Sequence, residues 1–135
     1  MNNSVDQQST KSRPLLKVLL AEDEFLIRYD LAEVIRELGW DVIEVSSADD
    51  GIAVIRDGMQ IDLLITDINM PGENDGVDLA RAMRQFRPSA RIVMMSGLLK
   101  ASALPQDLFE VFVPKPVMDW ETILVNLMTT RAQAE

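Results

Sequence analysis

The chain contains no cysteine and no histidine among its 135 residues. The first absence excludes disulfides and thiolate chemistry, and the second removes imidazole as a metal ligand, general base or phosphocarrier. Whatever chemistry the chain performs must rest on carboxylates, hydroxyls, amides and lysine. Also lacking is any apolar run near the roughly 18 to 20 residues needed to span a bilayer, and the opening MNNSVDQQSTKSR has no apolar core of a signal peptide. A cytoplasmic protein with no membrane partner is the expectation. Positive charge is scarce: 13 basic against 22 acidic residues leave a net charge of −9. Such a surface repels nucleic acid and anionic membrane as a whole, so DNA binding by this chain alone is not expected. Six glycines, six prolines, no low-complexity tract and no internal repeat speak against disorder and against a solenoid.

What is present fits one domain. At this length and 47% hydrophobic content there is enough chain for a real core and too little for two ordinary domains. Residues 1–13, rich in Asn, Gln and Ser, read as a flexible polar tail, and 14–135 as the domain. The domain opens with the apolar strand-length run LLKVLLA, Leu15 to Ala21. A helix follows, with Ile27, Leu31, Val34, Ile35 and Leu38 at helical spacing and Gly39 at its stop. The alternation then repeats. Strands are predicted at 41–45, 62–66, 91–96 and 111–113, and helices over Ala48 to Asp57, through GVDLARAMRQF, and from about Asp119. Strands alternating with helices form a parallel sheet covered on both faces, because the crossovers are right-handed. The most apolar runs belong at its centre and 41–45 and 111–113 at its edges, which gives the order 2-1-3-4-5. In such a doubly wound sheet the ligand site lies at the carboxyl ends of strands 1 and 3.

Acidic residues stand at those two ends. Strand 1 runs into Glu22-Asp23-Glu24 and strand 3 into Asp67. Carboxylates converging on one pocket repel one another unless a cation is present, and an all-oxygen site with room for water favours Mg²⁺ over a full Ca²⁺ cage. Each acid also has an ordinary explanation: the EDE triplet suits a helix N-terminus, and Asp67 suits the turn before Pro71. Two more strand ends meet the same edge. Strand 4 ends in Ser96-Gly97, a hydroxyl beside a residue with no side chain. Strand 5 ends in PKP, which restricts the backbone on both sides of Lys115. A hydroxyl and a fixed ammonium facing a metal-bound carboxylate form a receptor for a tetrahedral dianion.

The stretches LLAEDE, LLITDINMPG, VMMSG and VFVPKP, in that order and approximate spacing, resemble the receiver domains of two-component response regulators. The resemblance covers residues 15 to about 130 and implies the flavodoxin-like, CheY-like (βα)5 fold. It implies Asp67 as phosphoacceptor, Asp23 as a direct Mg²⁺ ligand and Glu22 as a second acid acting largely through water. Asn69 would lend its backbone carbonyl to the metal. Ser96 would be the switch hydroxyl, Lys115 the family's lysine, and Phe112 the switch aromatic. The Lys115-Pro116 peptide is expected to be cis.

Such a domain takes its phosphoryl group from a separate histidine kinase, a histidine phosphotransfer protein or a small acyl phosphate. It then changes its contacts with a downstream protein. Two other readings stand beside it. A phosphohydrolase of the haloacid dehalogenase type also uses a strand-end Asp, but wants a second Asp two positions on, where this chain has Asn69. A pseudo-receiver that only binds partners would have lost an acid or the lysine, and none is lost. Dinucleotide binding fails, because no G-x-G-x-x-G follows the first strand. Two departures from the family pattern matter. Gly76 lies nine residues after Asp67, one more than is common. Only residues 97–110, with Pro105 among them, separate strands 4 and 5, so a helix there should be short, irregular or absent. After Pro116 there is room for one helix, so a stand-alone receiver is the expectation, and a piece of a longer chain would look the same.

Overall fold

The computed structural model describes residues 16–134, with side chains to residue 129. The expected tail, 1–13, lies outside the described residues. In chain order the elements are β1 (Lys17–Ala21), α1 (Phe25–Glu37), β2 (Asp41–Val45), α2 (Ala48–Arg56) and β3 (Leu63–Asp67). They continue with α3 (Gly76–Phe86), β4 (Arg91–Ser96), a single 3-10 turn (Ala101–Ala103), β5 (Val111–Pro114) and α4 (Trp120–Ala134). All strand pairs are parallel and the order is β2-β1-β3-β4-β5, as expected. The flavodoxin-like, CheY-like layout therefore holds, and the described residues form four α-helices, none of them between β4 and β5.

Alternation along the central strands builds the two layers. Leu19, Leu64, Ile92 and Met94 point to one face and pack with Ile55 of α2 and Leu79 and Met83 of α3. Val18, Leu20, Ile65, Val93 and Met95 point to the other and pack with Leu31 and Ile35 of α1 and Leu124 of α4. Both faces of β1, β3 and β4 are buried, so these three read as continuous apolar runs in the sequence.

Between β4 and β5 the chain forgoes a helix and satisfies its backbone by other means. The Ser96 Oγ accepts the Leu98 and Leu99 amides, both at 3.0 Å. The Gln106 side-chain amide donates to the Ala101 and Leu104 carbonyls. At the far end Glu110 accepts the Ile92 amide at 2.6 Å and the Arg84 guanidinium at 2.8 Å, which pins the return into β5. Leu104 and Leu108 are buried against the α2–α3 layer, the burial an amphipathic helix would otherwise supply. Proline at 105 has no amide to donate, so a helix through it would lose a bond and crowd the preceding turn.

Candidate metal and phosphoryl pocket at the carboxyl edge of the sheet

Because β1 and β3 are neighbours in register from Val18↔Leu63 to Ala21↔Thr66, their exits bring Glu22 and Asp67 side by side. One oxygen from each of Glu22, Asp23 and Asp67 lies within 4.8 Å of the others. The three differ in surroundings: Glu22 is wholly buried, Asp67 nearly so, and Asp23 is exposed at the mouth. β3 runs one residue further than the pattern predicts and includes Asp67 itself, whose position is therefore fixed by pairing with Met95.

Lys115 reaches the pocket from the end of β5. Its Nζ lies 2.8 Å from Glu22 Oε1 and 2.8 Å from Asp67 Oδ2, with Glu24 at 3.9 Å. The peptide after it is cis, as the resemblance implied. Its aliphatic stem lines an apolar cavity of about 460 Å³ between α1 and α4, with Leu31, Val34, Met95 and Trp120, while the ammonium turns to the carboxylates. Burial alone pushes the Lys115 pKa down, and hydrogen bonds to Asp67 and Glu22 more than reverse it, leaving it raised. Burial pushes the Glu22 carboxyl up, with Asp67 adding to the rise. Hydrogen bonds from Lys115 and the Glu24 amide oppose it, and the net direction is upward.

The helix-capping explanation of the EDE triplet covers at most its last member, Glu24. Glu24 is the N-cap of α1 but makes no side-chain cap bond, and the first turn of the helix holds no acid. Glu22 and Asp23 lie ahead of the cap. Ser96 is buried at the end of β4, its Oγ engaged by two amides of the following connection. Phe112 is half-buried on the α2–α3 face, its ring centroid 6.1 Å from that of Phe109. Asn69 is exposed two residues beyond β3, in the loop that leads to α3.

Two contributors are invisible to residue patterns. A Cβ built on Gly76 would overlap the Asp67 carbonyl oxygen and lie 2.8 Å from the Ile68 Cα, so only glycine lets α3 start against the end of β3. The capping box of Asp75 and Asp78 fixes that start. The longer loop is held from α2, where Asp49 accepts the Asn74 side-chain amide at 2.7 Å.

Among the described residues the groups that could hold an ion at the pocket are carboxylates, two of the three acids are largely dry, and one faces solvent. That set fits a hard divalent ion that keeps some of its water. Among the described residues no helix is long and apolar enough to cross a membrane.

A profile of the response regulator receiver domain matches residues 18–123. Among curated relatives, a DNA-binding transcriptional regulator NtrC from Azospirillum brasilense is 36% identical over 103 residues, 73% of this chain. The chain spans 21% of that protein's length and 38% of that of a second regulator, PdtaR from Mycobacterium tuberculosis. Among solved structures, a response regulator receiver protein from Sinorhizobium medicae superposes with a TM-score of 0.73 at 27% identity. That match covers 86% of this chain and 93% of the other. The Thermotoga maritima response regulator TrrA, in complex with Mg²⁺-BeF, gives 0.74 at 23% identity over 85% and 98%.

Proposed function

The chain belongs to the response regulator receiver domain family, a family of signalling domains and not of enzymes in the ordinary sense, and we propose that it accepts a phosphoryl group on Asp67. The donor is a histidine kinase or histidine phosphotransfer protein, the reaction depends on Mg²⁺, and the product switches contacts with a downstream protein. The observation that carries this reading is the single ammonium of Lys115 shared, at 2.8 Å each, between a wholly buried Glu22 and Asp67. A fixed cation beside a strand-end carboxylate is what a developing phosphoryl charge requires. The Mg²⁺-BeF held by the Thermotoga neighbour is in keeping with it.

Asp23 and Asp67 would hold the ion directly, with Glu22 acting through water and Asn69 through its carbonyl. Bound Mg²⁺ supplies charge neutralisation on the incoming phosphoryl oxygens. An Asp67 carboxylate oxygen forms the new O–P bond as the donor's N–P bond breaks and its electron pair returns to the imidazole. Lys115 holds an equatorial oxygen through the transfer. The Ser96 Oγ accepts two amides and so keeps its own O–H proton for a phosphoryl oxygen. Turning it draws on Leu98 and Leu99, the first residues of the connection that has no helix. Phe112 stands at the other end of that connection, against Phe109, and serves as the switch aromatic. Phe25, Leu98 and Met118, exposed by 62%, 82% and 89%, leave the same edge of the sheet. An apolar rim around a charged mouth supports a protein donor.

Incubation with acetyl phosphate should add one phosphoryl group by intact mass when Mg²⁺ is present and none in EDTA. An adduct equal in both would remove the metal from the account. In the absence of donor, Mg²⁺ should raise the thermal midpoint, the gain growing with the logarithm of its concentration and reaching about 2.7 kcal/mol at a hundredfold excess over its Kd. A midpoint indifferent to Mg²⁺ would count against the metal site.

A further inference from the structure

Glu44 interrupts the apolar pattern of β2, and receiver chemistry gives it nothing to do. Its carboxylate grips two arginines of α1: Arg28 Nε at 3.4 Å and Arg36 Nη2 at 2.9 Å. Arg28 is the more enclosed of the two. Its side chain is largely buried, its Cζ lies 5.6 Å from the centre of the Phe25 ring, and its Nη1 donates to the Glu22 backbone carbonyl at 2.8 Å. With Glu44 on Nε, Phe25 on one face and a carbonyl on Nη1, the planar guanidinium has one orientation available.

That carbonyl belongs to the peptide unit joining Glu22 to Asp23. Because the unit is planar, fixing its oxygen fixes the direction in which the Asp23 Cα leaves. The other polar groups of Glu22 are held within or next to the pocket: its amide by the Val45 carbonyl, its carboxylate by Lys115 and the Glu24 amide. Asp23 has no such support. Among the described residues no hydrogen bond or ion pair holds its carboxylate, so its place beside Glu22 and Asp67 depends on the backbone.

We propose that Arg28, aimed by Glu44, is a positioning residue for divalent-cation binding, setting the Glu22–Asp23 peptide so that Asp23 faces Asp67 before the ion arrives. The inference rests on the proposed function, since it assigns Asp23 to the metal. Supporting groups of this kind typically change metal affinity by about 10- to 100-fold when removed.

The test compares wild type with Arg28→Met, Arg28→Lys and Glu44→Gln, each checked for folding by circular dichroism. Mg²⁺ is titrated against the thermal midpoint, and amide hydrogen exchange is followed over residues 22–25 in EDTA. Arg28→Met should weaken Mg²⁺ about tenfold, and Arg28→Lys should weaken it too, because an ammonium keeps the charge and loses the fork. Glu44→Gln, which leaves Arg28 in place and loosens its aim, should shift affinity in the same direction by less. Exchange over 22–25 should quicken in all three, and the phosphorylation rate should return towards wild type at saturating Mg²⁺. Simple charge repulsion predicts the reverse: tighter Mg²⁺ in Arg28→Met and no change in Arg28→Lys. That pattern, or unchanged affinity in all variants while wild type binds Mg²⁺, would overturn the inference alone. Wild type that does not respond to Mg²⁺ would overturn it together with the proposed function.

Discussion

Replacing Lys115 by methionine should cost the metal-free protein about 3 kcal/mol at neutral pH and slow acquisition of a phosphoryl group about a hundredfold. The stability loss comes from what is left behind. Glu22 is wholly buried and Asp67 nearly so, and both lose the ammonium that lies 2.8 Å from each. Removing one partner of a buried ion pair typically costs about 3 to 5 kcal/mol, and the lower end applies because Lys115 itself keeps some contact with water. The deficit should depend on pH. Burial already raises the folded Glu22 carboxyl, and losing the Lys115 hydrogen bond raises it further. A group raised on folding contributes stability that is full below its unfolded pKa and is lost as pH rises through its folded value. The variant's deficit should therefore be small at the acidic end, where Glu22 carries its proton, and should widen towards neutrality. In wild type the raised Lys115 keeps its own contribution until pH climbs through and past the usual lysine range. Denaturant titrations in EDTA at two pH values measure this directly. A deficit equal at both, or none, would show that the lysine does not compensate Glu22.

Gly76→Ala should be nearly as damaging, although glycine to alanine at a helix start is ordinarily mild. The added carbon collides with the Asp67 carbonyl oxygen and crowds the Ile68 Cα, and both obstacles are backbone, so no side chain can swing aside. Either α3 withdraws or the end of β3 moves, at a cost of roughly 3 kcal/mol, or about 10 °C in midpoint for a domain of this size. Because the displaced strand end carries Asp67, Mg²⁺ affinity should fall with stability. Gly97→Ala is the control on the neighbouring strand end. There the nearest atom to a new Cβ is the Lys115 Cβ at 3.7 Å, an ordinary contact. Its midpoint should stay within a degree or two of wild type by the same conversion. Equal effects of the two substitutions would contradict the close approach at Gly76.

Much of this was legible in the sequence for a simple reason. Strand order follows from which runs are apolar on both faces, and a parallel sheet delivers every strand end to one edge, so Glu22, Asp67 and Lys115 meet there by topology, with Ser96 at the end of the strand beside β3. The missing helix between β4 and β5 could be read too, since Pro105 and a short connection act locally. The supports were not legible, because each is a long-range match between a side chain and a backbone group. Nothing in the spacing of Gly76 says that a carbonyl oxygen lies where its Cβ would be. Nothing in DVIEV says that Glu44 turns towards an arginine eight or sixteen residues earlier along α1. Ser96 shows the same limit: its hydroxyl was expected at the pocket, but the two amides it accepts depend on how residues 97–99 turn.

The central claim is that the carboxylate of Asp67, and no other, becomes an acyl phosphate. Borohydride reduces an aspartyl phosphate to homoserine and leaves a free carboxylate unchanged, so the reacted position can be found by sequencing peptides. Protein treated with Mg²⁺ and acetyl phosphate and then reduced should contain homoserine at position 67 alone, and Asp67→Asn treated alike should contain none. Reduction at Asp23 or elsewhere, or an untouched Asp67 in wild type, would contradict the account.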